Sequence, residues 1–326
     1  AGALGLAQQP FVAPLVERSA ESAARAVEAA FHRTFTPGWV ARELAAALAA
    51  DQTDRALWLA DLAQAEGVAL DPVQGAEVAR LRAEADSWLQ STADCAYCAL
   101  DVRSCRSVAA IALCALPVEL TPAGDLNALR RQGMAALAGQ PVDRLETGLA
   151  LVGLGATAAV VASGGGSAAL KAGATAARMA RRLGTLSPGM TRALAEVADL
   201  PVNWGAVARG APVEEITDVA KLGRLADMAG DLGRVASRAG PAETLVLLRH
   251  IDGPEDAARM ARLADAAGAR TLDRVEVLGK ARAFRALMRV SDLALATLAA
   301  LYAAALQVAL MLAGGVARGA LRLLRP

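Results

Sequence analysis

From Thr147 to Leu170 the chain reads "TGLALVGLGATAAVVASGGGSAAL", without one charged side chain. Such a stretch is a bilayer span, a phosphate-binding glycine loop or the dry seam of a helix bundle, and the choice sets the class of the whole protein. The glycine loop fails first. "GLGATA" at 153–158 approaches G-x-G-x-x-A, but that fingerprint needs a strand before it, a helix after it and an acid about 20 residues further on. Here Asp143, Arg144 and Glu146 lead into a helix that starts before the glycines, and positions 173–175 are Gly, Ala and Thr. The seam and the membrane readings remain. Gly155, Ala159 and Ser163 follow the small-xxx-small spacing that lets two helix backbones approach, so they are the expected helix-packing seam.

Alanine decides the fold class. Hydrophobic residues make up 55% of the 326 residues, yet aromatics are only 3%. Alanine is the best helix former and a poor strand former. Glycine and proline fall mostly between alanine-leucine runs, as helix punctuation does. The expectation is an all-α chain, a multi-helix bundle or helical-hairpin array, with a C-terminal transmembrane helix. A net charge of +1 gives no bulk attraction to nucleic acid.

Boundaries follow from capping chemistry. Thr36 reads as an N-cap with Pro37 at the first helical position, Asp51 or Thr53 caps the next helix, and Asp71-Pro72 opens another. Thr121-Pro122, Pro141 and Ser187-Pro188 read as further starts. Trp39, Trp58 and Trp88 each sit in one of the early helices as bundle anchors. "RLADMAG" at 224–230 recurs as "RLADAAG" at 262–268, an offset that suits a two-helix repeat but also arises in an irregular alanine-rich bundle. Asp61, Asp227 and Asp265 share this local context and read as structural. The expected organisation is an N-terminal helical bundle at 1–92, a cysteine-containing segment at 93–120, and helices with a Gly/Ala-rich apolar hairpin at 121–186. Repeat-like helical hairpins follow at 187–290, then a membrane helix and basic tail at 291–326.

The membrane expectation rests mainly on Leu293 to Ala317, an uncharged run of roughly 37 Å as a helix at ~1.5 Å per residue, against a hydrocarbon core of ~30 Å. Lys280, Arg282, Arg285 and Arg289 precede it and Arg318, Arg322 and Arg325 follow, so the positive-inside rule picks no orientation. The opening "AGALGLAQQPFVAPLV" lacks a basic n-region and is not an intact signal peptide. After the triple glycine, Lys171, Arg178 and Arg182 fall on one helical face with Arg181 beside it. These four are the candidates for lipid head-group contact.

Cys95, Cys98, Cys105 and Cys114 are spaced C-x2-C-x6-C-x8-C. Two local disulfides, free buried thiols and a metal site are the three readings. With no second C-x-x-C and no histidine nearby, disulfides in an oxidising compartment are favoured. His32 and His250 stand alone, and no nucleophile elbow, H-E-x-x-H, Walker loop or spaced acid pair is present. No enzyme activity and no cofactor are expected.

"LPVELTPAGDLNALRRQ" followed by "VDRLETGLALVGLGATAA", about 40 residues, resembles the helical linker found ahead of toxin domains in bacterial polymorphic toxins. The shared pattern is a small apolar stretch, a P-x-G-D motif at 122–125 and a later Gly-Ala-rich helix. The resemblance implies a membrane-handling or packaging role. The residues taken together lead to a non-enzymatic, membrane-anchored helical scaffold or accessory subunit of an inner-membrane protein assembly. A membrane-inserting or pore-forming protein using 147–182 as a hairpin is the alternative, and a metal or redox protein built on the four cysteines a weaker one.

Overall fold

The computed structural model describes residues 13–89, 92–163, 168–197 and 201–287. Every regular element among the described residues is helical. The first four helices are α1 (Ala13–Thr34), α2 (Pro37–Ala49), α3 (Thr53–Ala65) and α4 (Pro72–Leu89). Thr36 caps α2 as expected, its hydroxyl accepting from the Trp39 amide at 3.3 Å. Asp71 Oδ1 accepts from the Val73 amide at 2.9 Å at the start of α4. The α3 cap differs from expectation: Gln52 holds the position without a side-chain bond. Trp39 and Trp58 pack against the small cores of this region, whereas the side chain of Trp88 lies outside the described ones.

The cysteine segment folds as α5 (Thr92–Leu100), a 3-10 turn at Val102–Ser104 and α6 (Val108–Glu119), which carries a π-helical turn at Ile111–Ala115. Of two nested disulfides, Cys95–Cys114 ties α5 to α6 across a Cα separation of 5.2 Å, and Cys98–Cys105 ties α5 to the loop before α6 across 4.7 Å. After an 86° bend comes α7 (Pro122–Leu137). Gly124 permits that bend, because a Cβ there would lie 2.6 Å from the Cα of Glu119.

The centre is formed by α8 (Arg144–Ser163) and α9 (Ala168–Leu183). The first of these begins three residues after Pro141, where the Asp143 carboxylate caps the Glu146 amide at 3.0 Å. Short helices α10 (Pro188–Val197), α11 (Trp204–Ala208) and α12 (Val213–Ile216) lead to the long α13 (Val219–Ala239), then α14 (Pro241–Leu247), α15 (Pro254–Ala267) and α16 (Thr271–Leu278). Residues 280–287 are helical as well. The first copy of the repeated heptapeptide lies on α13 and the second on α15 up to its cap Gly268, with Leu225 and Leu263 buried in the same core.

Backbones of α9 and α13 approach each other closely. A side chain at Gly173 would collide with the Ala229 carbonyl, and one at Gly233 with the Ala169 carbonyl. These two glycines form the seam. The expected seam is therefore corrected at Gly155, which is exposed and faces open space. The side chains of Ala159 and Ser163 lie outside the described ones.

The largest core collects Val27 from α1, Cys98 from α5, Leu149 from α8, Met179 from α9, Leu232 from α13 and Phe284 near the end of the described chain. Among the described residues no single helix is long and apolar enough to cross a membrane, and only the bent pair α6–α7 matches by length and composition. The run from Leu293 to Ala317 lies outside the described residues.

Candidate functional site

A dense group of charged side chains lies inside the described fold, where α9 faces the corner between α6 and α7. The stripe Lys171, Thr175, Arg178, Arg182 recurs at i, i+4, i+7 and i+11, one face of a helix. That face points inward. Arg178 is 1% exposed and Lys171 8%. Opposite them stand Asp125, 0% exposed, in the first turn of α7, and Glu119 at the end of α6.

Asp125 accepts from Lys171 Nζ with one oxygen and from Arg178 Nη1 with the other. Arg178 Nη2 donates to Glu119 Oε2 at 2.6 Å, and Lys171 Nζ also donates to the Thr121 carbonyl at 3.2 Å. The network continues outward: Arg182 donates to Asp101 at 2.6 Å and to Glu119 at 3.5 Å. Glu146 accepts from Arg131 Nη2 at 2.5 Å and from Gln132 Nε2 at 2.6 Å. Asp143 Oδ2 accepts from Arg181 Nε at 3.0 Å. Burial pushes the Lys171 ammonium below its ordinary range despite the pull of Asp125. Desolvation also lowers Arg182, reinforced by the nearby Arg131 charge and opposed by Glu146, Asp101 and Glu119.

Two glycines make room for these carboxylates. Gly124 lets α7 turn tightly off Glu119. Gly153, on α8, leaves the space that Asp125 fills, since a Cβ there would lie 2.5 Å from Asp125 Oδ1. The P-x-G-D motif thus has a local explanation: proline starts the helix, glycine permits the corner and aspartate receives two cations. "GLGATA" lies within a helix, and its first glycine accommodates a carboxylate.

The head-group expectation is corrected for Lys171 and Arg178, which are buried with carboxylate partners; Arg182 is nearly so. Arg181 alone of the four has a substantially exposed side chain, and it is paired with Asp143. The sequence reading missed Glu119, Asp125, Glu146 and Gln132 as partners. The only sequence signal was that α9 holds four cations and no acid, which leaves any neutralising partner to another helix.

The four cysteines form disulfides. Among the described residues no group of three or more His, Cys, Asp or Glu side chains is placed to hold a metal ion. A shallow groove of about 470 Å³ lies beside the network, lined by Pro141, Asp143, Arg144, Arg181 and Thr191. Comparison with protein-family models, with curated proteins and with solved structures finds no match to this chain.

Proposed function

We propose that this protein is a non-enzymatic helical scaffold or accessory subunit of a membrane-bound assembly, binding other proteins through its outer helical faces. The observation that carries this reading is the inward direction of its charge chemistry. Lys171 and Arg178 are matched internally by Asp125 and Glu119, and Arg182 by Glu119 and Glu146, with the exposed Asp101 at the rim. Groups that would bind or activate a substrate in an enzyme are here spent on joining four helices. Two nested disulfides favour an oxidising compartment for the α5–α6 segment. The uncharged run from Leu293 to Ala317 supplies the anchor in this reading.

Purification of the full chain in mild detergent tests it. The expected result is a stoichiometric complex with other proteins and no release of dye from lipid vesicles. Dye release by the isolated chain would favour the pore-forming alternative and overturn the scaffold reading.

A further inference from the structure

Most of the large apolar side chains that the described fold leaves exposed come from one part of the chain. Leu113 and Val118 lie on α6, and Leu126, Met134 and Leu137 on α7, with Leu137 85% exposed. Along α7, Leu126 and Leu137 stand eleven residues apart, three turns on one stripe, with Met134 alongside. Between them Gly133 faces the half-buried ring of Trp204, whose nearest atoms would lie 3.7 Å from a Cβ at that position. A solvated surface rarely carries so many large apolar groups on two successive helices.

The charges of this segment have one sign on the outside. Between Asp101 and Asp143 the only acidic residues are Glu119 and Asp125, and both are buried. The charged residues that reach solvent there are Arg103, Arg106, Arg130 and, in part, Arg131. Arg130 lies on the apolar stripe itself and, among the described residues, is hydrogen-bonded to the neutral side chain of Asn127 in its own helix at 3.0 Å. Apolar side chains with Arg130 among them, and with Glu119 and Asp125 withdrawn into the interior, complement an anionic phospholipid surface. The same two helices form the bent pair that matches a broken span in length and composition.

We infer that the α6–α7 corner docks on the surface of an anionic bilayer, with Leu126 and Leu137 entering the head-group and acyl boundary and Arg130 meeting lipid phosphates. The disulfides to α5 and the buried pairs of Glu119 and Asp125 hold the corner rigid behind this surface. The inference rests on the membrane-associated reading above only in expecting a bilayer nearby, and it is independent of the run from Leu293 to Ala317.

The test uses the full chain on vesicles of phosphatidylcholine, with and without phosphatidylserine, doped with a phospholipid bearing a photoactivated carbene precursor. Peptide mass mapping reads which residues take up lipid. The expected result is labelling within 113–137 that depends on phosphatidylserine. In Leu126→Asp/Leu137→Asp this labelling falls at least about tenfold, the loss expected when two leucines leave hydrocarbon. Both positions are exposed, and unchanged helical circular dichroism and intact disulfides verify the fold. Arg130→Glu, a second surface variant, is expected to abolish the dependence on phosphatidylserine. Label on 293–317 but none on 113–137 overturns this inference and leaves the anchor reading standing; the converse does the reverse. Equal labelling of 113–137 on neutral and anionic vesicles, or undiminished labelling in the double variant, also overturns it.

Discussion

Single glycines separate the residues that shape this interior from those that only sit near it. Gly153 and Gly155 are two positions apart on α8, yet one faces the Asp125 carboxylate and the other open space. Gly153→Ala is expected to lower unfolding stability by about 1–3 kcal/mol, the usual cost of overpacking a filled site. Gly155→Ala is expected to raise it by up to about 1 kcal/mol, because alanine is the better helix former and meets no neighbour. Urea unfolding of the two variants checks the pair, and equal effects would contradict the packing described. Small-residue spacing was legible in the sequence here, but the side of the helix that carries the contact was not. Spacing fixes which residues share a face, and only the neighbouring helices decide what that face meets.

The same distinction governs whole helices. Caps at Thr36, Asp71 and Ser187 were readable because each depends on a side chain next to its own helix. The amphipathic character of α9 was readable too. Its direction was not: polar faces usually meet water, and this one meets the α6–α7 corner, a choice made by Glu119 and Asp125, 46 to 59 residues before their partners. The disulfides were anticipated as a set of four cysteines, while the pairing, 95 with 114 and 98 with 105, is a property of how α5 lies against α6. They also hold Asp101 and Arg103 against the end of α9, where Arg103 Nε donates to the Arg182 carbonyl at 3.1 Å. Reduction is therefore expected to free four thiols, to cost roughly 2–4 kcal/mol of stability and to speed amide hydrogen exchange at the end of α9. Alkylation with mass mapping and exchange on the reduced chain measure this. Unchanged exchange there would show that the clamp does not support the network.

At the scale of the whole molecule, the N-terminal helices are tied to the last described ones by polar contacts over long sequence distances. Arg274 lies 3.6 Å from the centre of the Phe31 ring and pairs with Glu28. Trp58 Nε1 donates to Asp273 at 3.0 Å, and Arg55 pairs with Glu276 at 2.8 Å. None of these partners could be matched from sequence, since nothing local marks which acid meets which base. Burial opposes ionisation of Glu276, yet His250, Arg249 and Arg55 together hold its carboxyl at about 2, below the ordinary 4.5. A depressed acid stabilises the fold fully above its unfolded value and loses that contribution as protons bind. Stability is thus expected to fall as the pH drops from about 4.5 towards 2, and Glu276→Gln is expected to flatten that part of the profile; an unaltered acid limb would contradict the assignment. The central claim is that Lys171 and Arg178 of α9 are internal, and a double-mutant cycle on Asp125 and Lys171 tests it most directly. Asp125→Leu removes the shared acceptor and is expected to cost about 3–5 kcal/mol, the effect of leaving buried charge unpaired. Lys171→Met is expected to cost less, because Arg178 still holds Asp125. The double variant should recover part of the sum, with a coupling of about 1–3 kcal/mol in urea unfolding. Two small and additive effects, each under about 0.5 kcal/mol as for solvated surface positions, would contradict the account and return the basic face of α9 to solvent or lipid.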